Sequence, residues 1–302
     1  TLAYTLSQYD LNVLWLEKEN DVSMGATRAN SAIIHAGYDP EPGTLMAKLN
    51  VEGAALYPQL AETLDAYYEQ VGSLVLAFDD ADKRHLELLY ERGIENGVKE
   101  LKLLDRAETI EQEPCVNPDV VGSLYAPTAA IILPWEMCLA FAEVAVREGV
   151  ELHLETKVTG FSGGEDELWT IETNQGSFQA RFVANCAGQG AETLHNLVAE
   201  PTFKLVPTRG EYYLLDAAFE LKVRRTLFQC PGPLGKGVLV TPTVHGNTLI
   251  GPNAEVIEDG EDTATTKLGL SEVAKRARHS VLNLRFSENI RSFAGVRANQ
   301  LV

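Results

Sequence analysis

A short apolar strand that closes on a carboxylate is the feature that most constrains the fold of this chain. The strand covers residues 12–16, Asn-Val-Leu-Trp-Leu, and Glu17 follows it directly. Before it, residues 1–9 have the spacing of the second half of an amphipathic helix. A helix that leads into a strand ending on Asp or Glu is typical of a βαβ unit that binds the ribose of a dinucleotide. We therefore expect such a unit here, with its first strand and Gly-rich turn before Thr1.

The middle of the chain fits the second half of the same kind of domain. A helix opens at Pro134, and residues 150–154 then alternate between apolar and polar as a half-exposed strand does. Residues 168–181 predict a hairpin. Residues 182–187 predict a buried strand, and a Gly-rich turn at 188–190 ends it. The order of helix, strand, meander, strand and glycine turn resembles the second half of an FAD-binding domain.

Other segments predict a second kind of structure. Residues 44–64 have helical spacing, and Pro58 is expected to bend or divide that helix. Beyond residue 200 the pattern changes to short strands separated by Gly and Pro, which is typical of an antiparallel sheet. These strands are expected at 212–215, 225–228, 237–241 and 247–250, followed by a helix at 268–284 and a strand with a turn at 290–297.

The charge balance and the cysteines narrow the range of partners. With 43 acidic and 25 basic residues the net charge is −18, which argues against nucleic acid or an anionic membrane surface as the main partner. The four cysteines lie far apart without a C-x-x-C pair, so we expect neither a metal site nor a disulfide framework, and a reducing compartment. No apolar run approaches the roughly 18 residues of a transmembrane segment.

Several motifs in a fixed order carry a resemblance to a known family. They are Asn30-Ser31 with His35-Ala36-Gly37, residues 42–48 (Pro-Gly-Thr-Leu-Met-Ala-Lys), 185–188 (Asn-Cys-Ala-Gly), 207–212 (Pro-Thr-Arg-Gly-Glu-Tyr), Gly251-Pro252 and 292–297 (Ser-Phe-Ala-Gly-Val-Arg). In their order and spacing they resemble the D-amino-acid-oxidase superfamily of flavoproteins, in particular its FAD-dependent glycerol-3-phosphate dehydrogenase branch. The family's closing segment would follow Arg297.

The resemblance implies the fold class and the domain boundaries. We expect an α/β protein with an α+β substrate part, in which an FAD-binding Rossmann-like domain is interleaved with an antiparallel-sheet substrate domain. The FAD-binding domain would comprise residues 1–70, 131–200 and 289–302, and the substrate domain residues 71–130 and 201–288.

The resemblance also implies which residues contact the cofactor, FAD. Glu17 would bind the ribose, and its alternative is an exposed carboxylate at a strand end. The other expected contacts come from the loop after the first strand and from backbone near two later strands; they are Thr27, Arg28, Asn30, Ser31, Val158, Ala187 and Gly188. Loop residues of these types also satisfy their own backbone in ordinary turns, and that alternative stays open.

The implied reaction is oxidation of a small anionic secondary alcohol by hydride transfer to flavin N5. His35 is our first choice for the base that takes the hydroxyl proton, because imidazole titrates near neutral pH; a hydrogen bond to the flavin or to backbone is the alternative. Arg297 and Arg209 are the choices for a guanidinium clamp on the anion, with Arg297 preferred.

Three functions compete at this stage. The leading one is oxidation of sn-glycerol 3-phosphate to dihydroxyacetone phosphate. The alternatives are an L-2-hydroxyglutarate oxidase or dehydrogenase, and a cofactor-free scaffold with the same fold. Oxygen, a quinone or an electron-acceptor subunit is compatible with the resemblance, and we expect a cytoplasmic protein that is peripheral at the membrane if a quinone is used.

Overall fold

The computed structural model describes residues 1–164, 168–218, 220–231 and 237–301. Its helices are α1 (Leu2–Leu6), α2 (Leu45–Thr63), α3 (Asp80–Glu95), α4 (Arg106–Gln112), α5 (Pro134–Arg147), α6 (Ala191–His195) and α7 (Lys267–Ser280). Its strands are β1 (Leu14–Leu16), β2 (Ile33–Ile34), β3 (Tyr68–Glu69), β4 (Ser73–Ala77), β5 (Lys102–Asp105), β6 (Gly122–Ala126), β7 (Ala130–Ile132), β8 (Glu151–His153), β9 (Val158–Ser162), β10 (Trp169–Thr173), β11 (Gly176–Ala180), β12 (Lys204–Leu215), β13 (Thr226–Gln229), β14 (Leu239–Pro242), β15 (Thr248–Gly251), β16 (Glu255–Val256) and β17 (Asn289–Leu301). Short 3-10 turns lie at Ala26–Arg28, Gly188–Gly190 and Phe286–Glu288.

A large sheet of nine strands organises the molecule. Its order is β16-β12-β15-β14-β13-β4-β6-β5, and β17 also pairs with β12. All of its pairs are antiparallel except β13 with β4. This confirms the expected antiparallel sheet. The strand expected at 212–215 is only the end of the 12-residue β12, and residues 290–297 continue as the 13-residue β17 instead of turning.

The two faces of this sheet are covered differently. On one, which we call the helix face, Leu227, Val240 and Ile250 pack against Val273 and Ala277 of α7. Because side chains alternate along a strand, their neighbours point to the opposite side.

On that opposite side, which we call the loop face, Val75 of β4 packs against Ala36 and Tyr38 and against Leu86 and Leu89 of α3. The segment that contains Ala36 and Tyr38 follows the loop after β1, which carries Thr27, Arg28, Asn30 and Ser31 and which we call the polar loop. The loop face is therefore where the two parts of the chain meet.

The nucleotide-binding part is built around the parallel pair β1 and β8. Helices α1 and α5 pack together beside it, with the rings of Tyr4 and Phe141 5.1 Å apart, and β9, β10 and β11 form the expected meander. The buried strand expected at 182–187 is wrong, because this segment is exposed and has no strand structure; Phe182 is 90% exposed. A strand requires a hydrogen-bonded neighbour, and this segment has none among the described residues.

Two helix predictions also needed correction. Helix α2 runs through Pro58 without division. Residues on both sides of Pro58 pack into apolar clusters, Ala54 in one and Ala61 in another, so tertiary contacts hold both halves against the loss of one backbone hydrogen bond. Helix α7 ends at Ser280 rather than 284, because Val281 is already extended, with φ −138° and ψ 109°.

Candidate functional site

The polar loop crosses the loop face of the large sheet, starting at β17. A Cβ atom on Gly295 would overlap the carbonyl oxygen of Ala29, so the loop backbone lies directly on the strand there. Two residues further along, the Ser31 hydroxyl lies 3.3 Å from the hydroxyl of Tyr212 on the neighbouring strand β12. This end of the loop is therefore in contact with both long strands.

The same segment reaches β13 at His35. The exposed His35 ring lies 5.6 Å from the ring of Phe228, centroid to centroid, and Asn50 Nδ2 on α2 donates to the His35 carbonyl oxygen at 2.7 Å. Strands β15 and β14 lie between β12 and β13 in the sheet. The segment from Ser31 to His35, which we call the crossing segment, therefore reaches across the loop face from β12 to β13.

The side chain of Asn30 holds the start of this crossing in shape. Its Nδ2 donates to the carbonyl oxygens of Ala26 (3.1 Å) and Thr27 (2.8 Å), and its Oδ1 accepts from the backbone N–H of Ala32 at 2.8 Å. Ala32 has a φ of 60°, a left-handed conformation that costs a non-glycine residue energy. Its carbonyl oxygen accepts from Ile132 N at 3.0 Å, which fixes the kink from the other side.

Tyr212 is buried at the centre of this arrangement. Its ring stacks on Phe293 of β17 with centroids 4.8 Å apart and an angle of 11° between the planes. On its other edge, a Cβ on Gly251 would lie only 2.7 Å from Tyr212 Cδ1. Burial raises the pKa of the Tyr212 hydroxyl, while the hydrogen bond with Ser31 and the charge of Arg297 oppose that rise.

Arg297 lies on the same face as Tyr212. In the antiparallel pair of β12 and β17, Arg297 is opposite Thr208 and Phe293 is opposite Tyr212. Residues 208 and 212 are an even number of positions apart, so all four share the loop face. The Arg297 side chain is exposed, and within the part of the chain that the structure describes it has no ion-pair partner. Among the described residues, Arg297 is therefore a cation on the loop face that is open to an anionic ligand.

Arg209, the second arginine expected in the site, lies on the other face. It is one residue from Thr208 and therefore points to the helix face, where it is 5% exposed. Its Nη1 donates to Asp262 Oδ2 at 2.6 Å and its Nη2 to Glu255 Oε2 at 2.7 Å. Two carboxylates already bind its guanidinium, so the expectation that Arg209 clamps the substrate is corrected: Arg209 holds the segment that carries Glu255 and Asp262.

Glu17 lies at the carboxyl end of β1, where ligands bind in parallel sheets. Its backbone N–H donates to the His153 carbonyl oxygen at 2.9 Å, which continues the pairing with β8. One carboxylate oxygen accepts from the Glu19 N–H at 3.0 Å, so the half-buried side chain is held in place. Its position agrees with a ribose ligand, and that role stays a prediction.

The remaining cofactor residues border open surface. Ala187 and Gly188 are exposed at the second 3-10 turn, and a Cβ on Gly188 would meet nothing within 4 Å. The adjacent Gln189 has a buried Nε2 without a hydrogen-bond partner. Thr27 and Arg28 are exposed in the first 3-10 turn.

The 3-10 turns at Ala26–Arg28 and Gly188–Gly190 both contact β17. Val158 is half-buried in β9 opposite Thr173. The Glu17 carboxylate, the accessible backbone at Gly188 and the Gln189 amide that lacks a hydrogen-bond partner are groups that suit a dinucleotide. The described residues contain no cluster of three His, Cys, Asp or Glu side chains placed to bind a metal ion.

Sequence reasoning missed Tyr212, Phe228 and Asn50, which hold the crossing segment in place. Tyr212 belongs to the motif at 207–212, in which Arg209 was selected instead. Residues 209 and 212 are an odd number apart, so a continuous strand through this motif would have placed them on opposite faces. The alternation of faces could have pointed to Tyr212, but only if β12 were known to begin at Lys204 and to run through this motif.

A parallel strand pair ending on a carboxylate, joined by a polar loop to an antiparallel sheet, is the arrangement expected of a dinucleotide-dependent oxidoreductase. The comparisons with known proteins agree. The family model DAO, described as FAD dependent oxidoreductase, matches residues 1–301. The chain belongs to this family of FAD-dependent oxidoreductases, so the expected family, fold class and cofactor are confirmed.

Two proteins with assigned activities illustrate the range of relatives. A glycerol 3-phosphate dehydrogenase of Caloramator mitchellensis is 47% identical over 298 residues, which cover 99% of this chain and 62% of that protein. An L-2-hydroxyglutarate dehydrogenase of Escherichia coli is 27% identical over 296 residues, or 97% of this chain and 69% of that protein. This chain thus spans less than two thirds of the Caloramator relative.

A solved structure matches the fold over nearly the whole chain. It is the L-alpha-glycerophosphate oxidase of Mycoplasma pneumoniae with FAD bound, and it superposes with a TM-score of 0.92 at 32% identity. The match covers 99% of this chain and 79% of that one. Within the described ranges of this chain, no helix has both the length and the apolarity to cross a bilayer.

Proposed function

We propose that this protein oxidises sn-glycerol 3-phosphate to dihydroxyacetone phosphate with FAD as cofactor. The observation that carries the proposal is that His35 and Arg297 lie on one face of the same sheet, at opposite ends of the crossing segment. A base and a cation are the two groups that the oxidation of a small alcohol with an anionic group requires. The 47% identity to a glycerol 3-phosphate dehydrogenase supports the choice of substrate.

Each residue has a defined part in this proposal. Arg297 binds the phosphate dianion through its planar fork, which matches two oxygens of the anion at once. His35 accepts the proton of the secondary hydroxyl as the carbon loses its hydride, so that the C–O bond becomes a carbonyl. FAD, when bound, supplies the hydride acceptor. Glu17 and the 3-10 turns at Ala26–Arg28 and Gly188–Gly190 would hold it.

The rival substrate is L-2-hydroxyglutarate, which the similarity to the Escherichia coli dehydrogenase supports. Its two carboxylates would also require a cation on the loop face, so Arg297 does not separate the two alcohols. The match to the family of FAD-dependent oxidoreductases argues against the third hypothesis, a cofactor-free scaffold.

The experiment is an anaerobic absorbance titration of the purified full-length gene product. Flavin bands that bleach when sn-glycerol 3-phosphate is added, and not when L-2-hydroxyglutarate is added, are the expected result. Bleaching by L-2-hydroxyglutarate alone would replace the substrate. Absence of flavin bands even after incubation with FAD would leave the scaffold.

The electron acceptor and the location in the cell stay predictions. An electron-acceptor subunit or a quinone would reoxidise the flavin, and the protein would be cytoplasmic or peripheral at the membrane. Reoxidation rates with oxygen and with a soluble quinone, measured on the same reduced protein, separate these acceptors.

A further inference from the structure

We propose that Tyr212 is a positioning residue that holds Ser31 and, through Ser31, sets the crossing segment that ends at His35. The inference rests on the proposed function only in taking His35 as a site residue. Tyr212 is 4% exposed, so it is not itself a contact for a small substrate. Tyr212 can therefore act on the site only through Ser31, whose hydroxyl it contacts.

The packing around Tyr212 fixes where its hydroxyl can be. Phe293 stacks on one side of the ring, and Gly251 leaves room for the other edge. A buried phenol requires a hydrogen-bond partner, and among the described residues Ser31 is the side chain that provides it, at 3.3 Å. A phenylalanine would fill the same space without this bond.

The later part of the segment is held by contacts away from β12. Asn50 donates to the His35 carbonyl oxygen, Ile132 N–H donates to the Ala32 carbonyl oxygen, and β2 pairs with β7. The Asn30 side chain bonds within the loop, and at the near end the loop backbone at Ala29 lies against Gly295. The hydrogen bond between Ser31 and Tyr212 fastens the start of the crossing segment to β12.

Either hydroxyl of the Ser31–Tyr212 pair can be the donor. In both orientations the bond occupies one hydrogen-bonding site of the Ser31 hydroxyl, so Tyr212 limits the directions in which Ser31 can bond to a ligand.

A double-mutant cycle on the full-length protein tests this arrangement. The four proteins are the wild type, Tyr212→Phe, Ser31→Ala and the double variant, and the first readout is the dissociation constant for FAD, from flavin fluorescence during titration of the apoprotein. We expect each single variant to weaken FAD binding about fivefold, and the double variant no more than either single one. Multiplicative losses in the double variant, or no loss in Tyr212→Phe, would overturn the proposal.

Steady-state kinetics provide a second readout and a matched control. Tyr212→Phe should lower kcat about tenfold with KM changed less than twofold, because the anion clamp is intact. Tyr213 is the neighbour on the opposite face, where its ring lies 4.8 Å from that of Phe286. Tyr213→Phe should leave both readouts at the wild-type value, and equal losses in the two Phe variants would contradict the positioning role. If sn-glycerol 3-phosphate is not oxidised, the proposed function fails while the FAD titration still decides the role of Tyr212.

Discussion

Arg297 and Arg209 form a natural pair for testing which face of the sheet binds the substrate. Arg209 is opposite Val296 in the β12–β17 ladder, so the two arginines are one position apart in register and point to opposite faces. We expect Arg297→Ala to impair catalysis without loss of stability. For Arg209→Ala we expect the reverse.

The magnitudes follow from what each guanidinium touches. Hydrogen bonds to charged groups contribute about 1.5–3 kcal/mol, and the exposed Arg297 belongs near the middle of that range. Its removal should therefore lower kcat/KM about 30- to 100-fold, mostly through KM. The partners of Arg209, Glu255 and Asp262, have side chains that are 49% and 40% exposed and can rehydrate. We therefore expect Arg209→Ala to cost about 2 kcal/mol in total, which lowers Tm by roughly 3–6 °C.

The assay measures kcat and KM for sn-glycerol 3-phosphate together with Tm, on the FAD-loaded wild type and both variants. Arg297→Lys is the matched control, because it keeps the charge and loses the fork; its KM should fall between those of the wild type and Arg297→Ala. A raised KM in Arg209→Ala at unchanged Tm would refute the assignment of the faces. So would a lowered Tm in Arg297→Ala with normal kinetics.

Four further changes probe the loop and the cofactor site. Asn30→Ala removes three hydrogen bonds of a half-buried side chain, so we expect a loss of about 2 kcal/mol in unfolding free energy, measured by denaturant titration. Gly295→Ala should weaken FAD binding in a fluorescence titration because the loop must move, whereas Gly53→Ala, whose Cβ meets nothing within 4 Å, should not. Glu17→Gln should raise the dissociation constant for FAD about tenfold and leave kcat unchanged once FAD saturates. His35→Gln should lower kcat at least 100-fold and flatten its acid limb in a pH profile; an unchanged profile would exclude the base role.

The features that the sequence predicts well depend on local pattern. The strand that ends at Glu17, the meander of β9 to β11 and the helix that opens at Pro134 each have their signal within about a dozen residues. Capping at a proline and alternation in a strand act between near neighbours, so no distant contact is needed to infer them.

The features that the sequence predicts poorly are those that depend on contacts with residues far along the chain. Residues 182–187 are apolar enough for a buried strand, but whether they form one depends on a neighbour that the segment itself does not specify. Arg209 and Tyr212 were hard to separate for the same reason. The Pro and Gly of their motif favour a turn, and only the pairing with β17 extends the strand through them and fixes which face each side chain takes.

The long ladder of β12 and β17 has a consequence for how such a protein can change during evolution. Along β17, residues 293, 295 and 297 face the loop, and residues 294 and 296 between them are buried on the other side. Of the three, residue 297 is exposed and can be exchanged to suit a new alcohol, whereas Phe293 stacks on Tyr212 and residue 295 has no room for a Cβ. Selection for substrate preference and selection for a stable core act on separate residues in one strand. A lineage can therefore alter its chemistry by a single substitution without first acquiring a compensating change in the core.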